Sequence, residues 1–458
     1  MTVFEFIADI KKYIFDSTDK DEKIGELEKQ FFKEAPEGSP EAKKYLKDKI
    51  KIIIYERKLE NKTINSYIEE YMKYTSIDPI EKKMQSQDDS VDELVQIIYQ
   101  EIFGQGIIDT LVDSELDEIG VTRDDYVWVQ DGGIKRRITN LKFKSKEDLL
   151  NIISNRTSSY NKPHDVNPQK PHLLGGRRDG SRVNICVNPL SKHPVLNIRK
   201  FILKNLTDDE IKEKSGATDE FLEVLKRLYK GRPNYLVIGE QSAGKSTMLK
   251  YLCRYIDDNL GIGTIERAFE LNLDDQYPDK NIISLQEAAG FDVEALFQIM
   301  LKQNRDIIMV GEISSPADAM VTLKAMLRQA KGSSGSFHSN SPENTMYDIR
   351  NLLMQSGYYT NEMIALFDVA RAIDVIIQIR PDRKTGFRYI RKVSEIIEDR
   401  KTMNFEESVL FKLDKKTKKL KPTGNKLSDN LVEKLLDYEA TEEDIKVINA
   451  ILSGEGVV

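Results

Sequence analysis

The stretch Gly239-Glu-Gln-Ser-Ala-Gly-Lys-Ser246 decides the fold of this chain, because it fits the pattern G-x-x-x-x-G-K-[ST]. An apolar run that predicts a buried strand, Tyr235–Ile238, precedes it. Apolar residues at helical spacing follow it, from Met248 to Ile256. A strand, a glycine loop and a helix in this order are the context in which the pattern forms a phosphate-binding loop. The sequence therefore predicts that the chain binds a nucleoside triphosphate.

The loop offers three kinds of contact to such a ligand. Its glycines let the backbone curl so that several N–H groups face one anion, and the dipole of the following helix adds to the attraction. Lys245 is predicted to reach the β- and γ-phosphates, and Ser246 is predicted to hold Mg²⁺. ATP and Mg²⁺ are therefore the expected cofactors. The predicted nucleotide-binding residues are Gly239, Glu240, Gln241, Ser242, Ala243, Gly244, Lys245, Ser246 and Thr247.

The composition restricts the class of protein. The chain has 458 residues, of which 40% are hydrophobic and 32% charged, with a net charge of −7. This length fits two or three domains, and the acidic balance argues against nucleic acid as a partner. Two cysteines far apart argue against a disulfide framework. No stretch approaches the roughly 20 apolar residues of a membrane span, and no signal peptide is found. We therefore expect a cytoplasmic protein whose contact with the membrane is peripheral.

Changes in sequence pattern predict four segments. Residues 1–90 form a helical N-terminal region, and the polar run Met84–Ser90 is expected to be a linker. Residues 91–205 form a small α+β domain. In residues 206–398 strands and helices alternate, which indicates an α/β domain with a mainly parallel sheet. Residues 399–458 form a tail that ends in two helices.

Two carboxylates end predicted strands downstream of the phosphate loop. Glu266 closes the run Gly263-Thr-Ile-Glu266, and Glu312 closes an apolar run that begins at Asp306. Ligands of an open parallel sheet bind at the carboxyl ends of its strands, so both glutamates are expected beside the loop. A lone glutamate there is more often a solvated loop acid. Two glutamates at two such strand ends favour functional roles, namely orienting the attacking water and holding Mg²⁺. The predicted ligands of Mg²⁺ are Ser246 and Glu312.

A histidine lies at the end of the glycine- and serine-rich segment Gly332–Asn340. A single histidine is more often structural than catalytic. The position of His338 after the third strand-like stretch nevertheless predicts that it lies near the nucleotide. There its imidazole is expected to contact the γ-phosphate or to respond to its loss.

These motifs, in this order, resemble those of the secretion-superfamily ATPases, which drive type II secretion, type IV secretion, type IV pili and tight-adherence pili. After the phosphate loop come Thr264-Ile-Glu266, Val310-Gly-Glu312 and His338-Ser-Asn-Ser-Pro342. In that family these segments are the Asp-box, Walker B and His-box motifs, and the phosphate loop is Walker A. The resemblance implies a RecA-like P-loop NTPase domain that hydrolyses ATP.

The upstream segments resemble the N-terminal domain of the CpaF-type branch, which assembles tight-adherence pili. The matching segments are Gly104-Gln-Gly-Ile-Ile-Asp109, Arg178-Asp-Gly-Ser-Arg-Val183 and Asn197-Ile-Arg-Lys-Phe201. The resemblance covers about residues 91–440 and implies a homo-hexamer with nucleotide between the two domains. Arg182 and Arg199 then complete the site, because guanidinium groups stabilise charge on a transferring phosphoryl group. It also implies an integral-membrane platform protein as partner, at the inner face of the cell membrane.

Three positions depart from the family pattern. Arg267 stands where the family often has Asp, Ser314 where it often has Arg, and Ala330 where it has a first histidine. These departures are the support for one other function, a nucleotide-gated structural subunit with little turnover. A DNA-transfer ATPase of conjugation or type IV secretion also stays open, although the acidic balance argues against it. An ATPase assay with and without single-stranded DNA separates the three.

Overall fold

The fold is taken from a computed structural model, which divides into two compact units, Met1–Ile202 and Leu203–Val458. The boundary predicted at residue 90 falls inside the first unit, and the boundary predicted at residue 398 falls inside the second. The structure describes residues 1–18, 40–75, 87–114, 116–131, 134–139, 141–153, 166–176, 181–200, 206–288, 290–328, 331–382 and 384–455. Within these ranges, none of the helices combines the length and the apolar character needed to span a bilayer.

The first unit combines helices with an antiparallel sheet. Its described helices are α1 (Val3–Thr18), α2 (Pro40–Glu56), α3 (Asn61–Thr75), α4 (Gln87–Ile102), α5 (Asp109–Val112) and α6 (Lys146–Ile152). Its strands are β1 (Glu118–Arg123), β2 (Tyr126–Asp131), β3 (Ile134–Ile138), β4 (His172–Gly176), β5 (Arg182–Cys186) and β6 (Val195–Arg199). They pair in the order β3-β2-β1-β6-β5-β4, always antiparallel.

Successive side chains of a strand point to opposite faces of the sheet, so every second side chain faces the core. Val183 and Ile185 of β5 are fully buried, and they join one apolar cluster with residues of helices α1 to α4. Arg182 and Asn184 of the same strand point to the opposite face. The predicted linker Met84–Ser90 is wrong for residues 87–90, which form the first turn of α4, while residues 84–86 lie outside the described ranges.

The second unit is an α/β domain with a mainly parallel sheet, as predicted. This sheet has nine strands. Its strands are β7 (Tyr235–Gly239), β8 (Ile262–Glu266), β9 (Ile282–Gln286), β10 (Ile307–Ile313), β11 (Ser334–Phe337), β12 (Val375–Pro381), β13 (Arg388–Asp399), β14 (Asn404–Leu413) and β15 (Leu420–Pro422). They pair in the order β15-β14-β13-β12-β7-β11-β10-β8-β9. The six strands from β12 to β9 in this order run parallel, and the other three are antiparallel.

Helices cover both faces of this sheet. The described helices are α7 (Asp208–Ser215), α8 (Asp219–Lys230), α9 (Lys245–Cys253), α10 (Leu273–Gln276), α11 (Val293–Lys302), α12 (Pro316–Arg328), α13 (Pro342–Gln355), α14 (Glu362–Ala372), α15 (Asp429–Leu436) and α16 (Glu442–Ser453). Tyr235 and Val237 of β7 belong to one apolar cluster, with α8, α9, α15 and α16. Leu236 and Ile238 belong to the other, with α11 to α14. Because both faces are buried, parallel strands such as β7 are continuously apolar.

The C-terminal residues 399–455 lie in the second compact unit. The two helices predicted at the end of the chain are present as α15 and α16. Strands β14 and β15, which precede them, were not predicted. Ion pairs fix α16 to α8: Asp444 Oδ1 lies 2.8 Å from Arg227 Nη1 and 2.9 Å from Lys230 Nζ. Burial would raise the pKa of the Asp444 carboxyl, but Lys230 and the hydrogen bonds from Thr441 hold it well below its usual range.

Candidate nucleotide-binding site

The phosphate loop joins the end of β7 to the start of α9, and its glycines are required by the backbone. A Cβ atom on Gly239 would lie 2.5 Å from the carbonyl oxygen of Ile379 in β12. Gly244 has φ +93°, in the left-handed region that favours glycine. A Cβ atom there would also lie 2.9 Å from Cδ of Arg388. The loop therefore keeps its curl only with glycine at these two positions.

Lys245 begins α9 and is 7% exposed. Its ammonium group donates to the carbonyl oxygens of Glu240, at 3.2 Å, and Gly239, at 3.4 Å. It also lies 3.2 Å from Nδ1 and 3.3 Å from Nε2 of His338. The lysine is thus held over the loop, beside the histidine that the sequence predicted.

The strand registers bring the other predicted groups to the same edge of the sheet. Phe337 of β11 pairs with Ile238 of β7 and with Ile313 of β10. His338 follows Phe337, and Glu312 precedes Ile313, so both lie beside the start of the loop. Three residues after His338, Ser341 caps α13: its side chain accepts the backbone N–H of residue 344, and Pro342 begins the helix.

His338 bridges Glu312 and Lys245. Its Nε2 lies 2.7 Å from Oε1 of Glu312. A carboxylate only accepts, so Nε2 carries the proton in the contact with Glu312, whereas the ammonium group of Lys245 only donates. Nε2–H then donates to Glu312, and Nδ1 accepts from Lys245. The side chains of His338 and Glu312 are each about two-fifths exposed, so a ligand can reach this edge of the sheet.

Glu266 ends β8, the strand next to β10, but it is 4% exposed. Its Oε2 accepts the backbone N–H groups of Glu270 and Leu271, each at 2.8 Å, and Thr264 Oγ1 donates to Oε1 at 3.2 Å. Gly311 makes room for it, because a Cβ atom there would lie 2.9 Å from Glu266 Cγ. Burial raises the pKa of the Glu266 carboxyl to about 7, although the two N–H donors oppose the rise. Glu266 is therefore a buried acid that changes charge near neutral pH.

The remaining predicted residues of the loop differ in burial. Ala243 is buried, Glu240, Ser242 and Ser246 are half-buried, and Gln241 and Thr247 are exposed. In the described parts of the chain, no three or more Asp, Glu, His or Cys side chains are grouped as metal ligands. The prediction of Mg²⁺ depends instead on the Ser246 hydroxyl and the Glu312 carboxylate, which are the hard oxygen donors that this ion prefers.

Arg182 and Arg199 lie in the first unit, directly opposite each other on β5 and β6. Cross-strand partners point to the same face of a sheet, so the two half-buried guanidinium groups share the face away from the helical core. Glu118 of β1 pairs with Arg199 on its other side. Their action on a nucleotide bound to the second unit stays a prediction.

Two residues at this site were not predicted from the sequence. Arg388 begins β13, and its Nε donates to the carbonyl oxygen of Ser242, at 3.2 Å. Asp318, in the first turn of α12, accepts hydrogen bonds from the turn that follows Glu312. No motif marks either residue. Arg388 is far from the loop in sequence, and an aspartate near a helix start is usually only a cap.

A model of the type II/IV secretion system protein family matches residues 101–388, which is more than half of the chain. The chain belongs to this family. The match confirms the predicted family at this level and leaves the CpaF-type branch a prediction.

Curated relatives agree with this assignment. Protein VirB11 of Agrobacterium fabrum is 25% identical over 312 residues, which cover 60% of this chain and 87% of VirB11. The type IV pilus assembly ATPase PilB of Acinetobacter baylyi is 25% identical over 161 residues, or 35% of this chain and 25% of PilB. An uncharacterized protein of Bacillus anthracis is 21% identical over 369 residues, 78% of this chain and 82% of that protein.

Solved structures show weaker likeness. The pilus retraction motor PilT with bound ADP has 19% identity and a TM-score of 0.46, covering 66% of this chain and 82% of PilT. The ATPase DotB of Legionella pneumophila has 14% identity and a TM-score of 0.43, covering 75% of this chain and 85% of DotB.

Proposed function

We propose that this chain is a Mg²⁺-dependent ATPase that powers pilus assembly or protein secretion. The observation that carries the proposal is the meeting of Lys245, His338 and Glu312 at the phosphate loop. Three motifs that are distant in sequence converge there, in a chain of the type II/IV secretion system protein family. A loop of this type binds the phosphates of a nucleotide, and charged groups at its edge stabilise phosphoryl transfer.

In this proposal Lys245 turns from the loop carbonyls and His338 to the β- and γ-phosphates of ATP. Ser246 and Glu312 hold Mg²⁺, which when bound neutralises charge on the phosphate oxygens. His338 keeps Glu312 oriented through Nε2 and responds to the γ-phosphate once the lysine has moved. These roles follow from the contacts of the three side chains and from the donor types that phosphate and Mg²⁺ require.

Glu266 is proposed to take the proton of the attacking water. A general base acts best when its pKa is near the working pH, and burial brings that of Glu266 to about 7. Its hydrogen bonds to the backbone of residues 270 and 271 hold the carboxyl in place. Glu266→Gln is expected to bind ATP without turning it over, because an amide does not accept the proton.

The working assembly is proposed to be a homo-hexamer at the cytoplasmic face of the cell membrane. Arg182 and Arg199 share one sheet face, which supports a joint role at the nucleotide, since paired guanidinium groups suit phosphate oxygens. The partner is proposed to be the integral-membrane platform of a pilus or secretion machine, and the CpaF-type branch is the proposed subfamily. The family description and the name of PilB support a pilus or secretion machine as the setting. The proposed branch depends on the segments of the first unit that resemble the CpaF type.

The test is ATP hydrolysis by the full chain, with Lys245→Ala as the decisive variant. Removing the ammonium group is expected to abolish turnover and to weaken binding of a fluorescent ATP analogue. Lys302→Ala, which changes an exposed lysine on α11, is the matched control. Hydrolysis by Lys245→Ala at the wild-type rate would exclude the proposed site.

A DNA-transfer ATPase of type IV secretion is the second candidate, favoured by the similarity to VirB11 over most of that protein. The same assay with single-stranded DNA distinguishes it. Stimulation by DNA that saturates with concentration supports DNA transfer, and unchanged turnover supports pilus assembly or protein secretion. A wild-type chain that binds ATP without hydrolysing it would instead be a nucleotide-gated structural subunit.

A further inference from the structure

A buried carboxylate holds the turn that follows Glu312. Asp318 is 1% exposed, and its Oδ2 accepts the backbone N–H groups of Ser314, at 3.0 Å, and Ser315, at 2.8 Å. Both serine hydroxyls donate to the same oxygen. Ser315 Oγ in turn accepts the N–H of Asp318 at 3.3 Å, so the two residues form a reciprocal cap at the start of α12. The backbone next to Glu312 and Ile313 is thereby fixed.

The same oxygen accepts a further hydrogen bond from a different loop. Arg267 Nη2 lies 3.0 Å from Asp318 Oδ2. Arg267 directly follows Glu266 at the end of β8, and β8 pairs with β10, which carries Glu312. A single carboxylate therefore links the residue after Glu266 to the turn after Glu312.

This link coincides with two departures from the family pattern. Arg267 stands where the family often has Asp, and Ser314 where it often has Arg. Here the cation lies in the first loop, and its partner is the buried Asp318 on α12. The two loops are thus joined by the ion pair between Arg267 and Asp318.

The ion pair between Arg267 and Asp318 contributes too little to folding stability for that to be its main effect. The Arg267 side chain is 44% exposed, and ion pairs with an exposed partner contribute little to the free energy of folding. The start of α12 is already capped through Ser315. What Arg267 adds is a contact between the turns that follow Glu266 and Glu312, beyond Ile265 and Val310, the last residues at which β8 and β10 pair.

We infer that Arg267 and Asp318 are positioning residues that hold Glu266 and Glu312 in the geometry for ATP hydrolysis. This inference rests on the proposed function. Neither residue needs to touch the nucleotide, since each acts through the loop beside it. A misplacement of about 1 Å at a reacting group costs about a hundredfold in rate, so a loose connection affects turnover strongly.

The kinetic test is Arg267→Ala in the full chain. Asp318 keeps its four hydrogen bonds from Ser314 and Ser315, so this variant leaves no buried charge without a partner. We expect kcat to fall about tenfold to a hundredfold, with KM for ATP within about twofold of wild type. Arg267→Lys keeps a charged donor and is expected to recover part of kcat. Arg371→Ala, at 48% side-chain exposure and also ion-paired, is the control and should keep the wild-type kcat.

Amide hydrogen exchange tests the link without relying on hydrolysis. In Arg267→Ala, peptides covering residues 266–273 and 311–320 should both lose protection, while peptides of α16 should not change. In kinetics and in exchange, Asp318→Asn combined with Arg267→Ala should be no worse than Asp318→Asn alone, because the two residues act through one contact. Wild-type kcat and exchange in Arg267→Ala, or additive effects in the double variant, would overturn the inference. A wild-type chain without ATPase activity refutes the proposed function instead, and the exchange result then decides alone whether Arg267 holds the two loops together.

Discussion

Replacing Glu266 by glutamine is expected to change how the stability of the second unit depends on pH. Burial raises the pKa of this carboxyl from the ordinary 4.5 to about 7 in the folded chain. Each pKa unit corresponds to about 1.4 kcal/mol, so ionised Glu266 costs the folded state about 3 kcal/mol. Glutamine cannot ionise, and its oxygen can still accept the N–H groups of Glu270 and Leu271. The variant therefore lacks this cost.

The sign follows from the protons that each state binds. Below about pH 4.5 Glu266 is protonated in both the folded and the unfolded chain, and its favourable contribution is fully present. Between about pH 4.5 and 7 the unfolded chain releases the proton while the folded chain keeps it, so stability falls as the pH rises. Between pH 5 and pH 8 the loss is about 2–3 kcal/mol in wild type and absent in Glu266→Gln.

The assay is urea unfolding at pH 5, 6, 7 and 8, followed by circular dichroism. Trp128, the single tryptophan of the chain, lies in β2 of the first unit, so its fluorescence reports on that unit. The unfolding free energy of Glu266→Gln minus that of wild type should rise by about 2–3 kcal/mol from pH 5 to pH 8. The Trp128 signal should show no such difference. Glu287→Gln, the same change on a half-buried side chain after β9, is the control. Parallel pH curves for Glu266→Gln and wild type would refute this reasoning.

Three further predictions concern the loop, the arginines and the assembly. Gly244→Ala should lower the stability of the second unit by about 1–2 kcal/mol, because φ is +93° there; equal urea midpoints would contradict this. Arg182→Ala and Arg199→Ala should each lower kcat on the order of 10³-fold without weakening nucleotide binding, and Arg136→Ala on exposed β3 should not. Specific ATPase activity should rise with protein concentration, and an ATP analogue should shift the sedimentation of the full chain to a larger species. A monomer with constant specific activity would exclude the ring.

The sequence was sufficient to predict the loop and the groups beside it, because their positions follow from local rules. A glycine loop between a strand and a helix has one common structure, and residues that end parallel strands meet at one edge. Glu312 and His338 were found in this way. Their mutual hydrogen bond was not, since the order of β10 and β11 within the sheet is not contained in either segment.

Other features depend on tertiary packing and left no local signal. Strand β11 is built from Ser334-Gly-Ser-Phe337, of which only Phe337 is a typical strand residue, yet it lies inside the sheet between β7 and β10 with every residue buried. At Gly335 a larger residue would crowd the neighbouring strand, because a Cβ atom there would lie 3.2 Å from the Val310 carbonyl oxygen. Arg388 likewise reaches the phosphate loop only because β13 follows β12 into the sheet.

The position of β7 between β11 and β12 also sets the order in which the site can form during synthesis. Tyr235 pairs with Ser334 on one side and with Val375 on the other, and both partners are made much later than the loop. Contacts so distant in sequence close slowly, because a long stretch of chain must be ordered first. As the ribosome extends the chain, the phosphate loop has neither neighbouring strand until residues beyond 334 emerge. A nascent chain that already contains the whole nucleotide-binding motif is therefore expected to depend on its remaining residues before it can hold ATP.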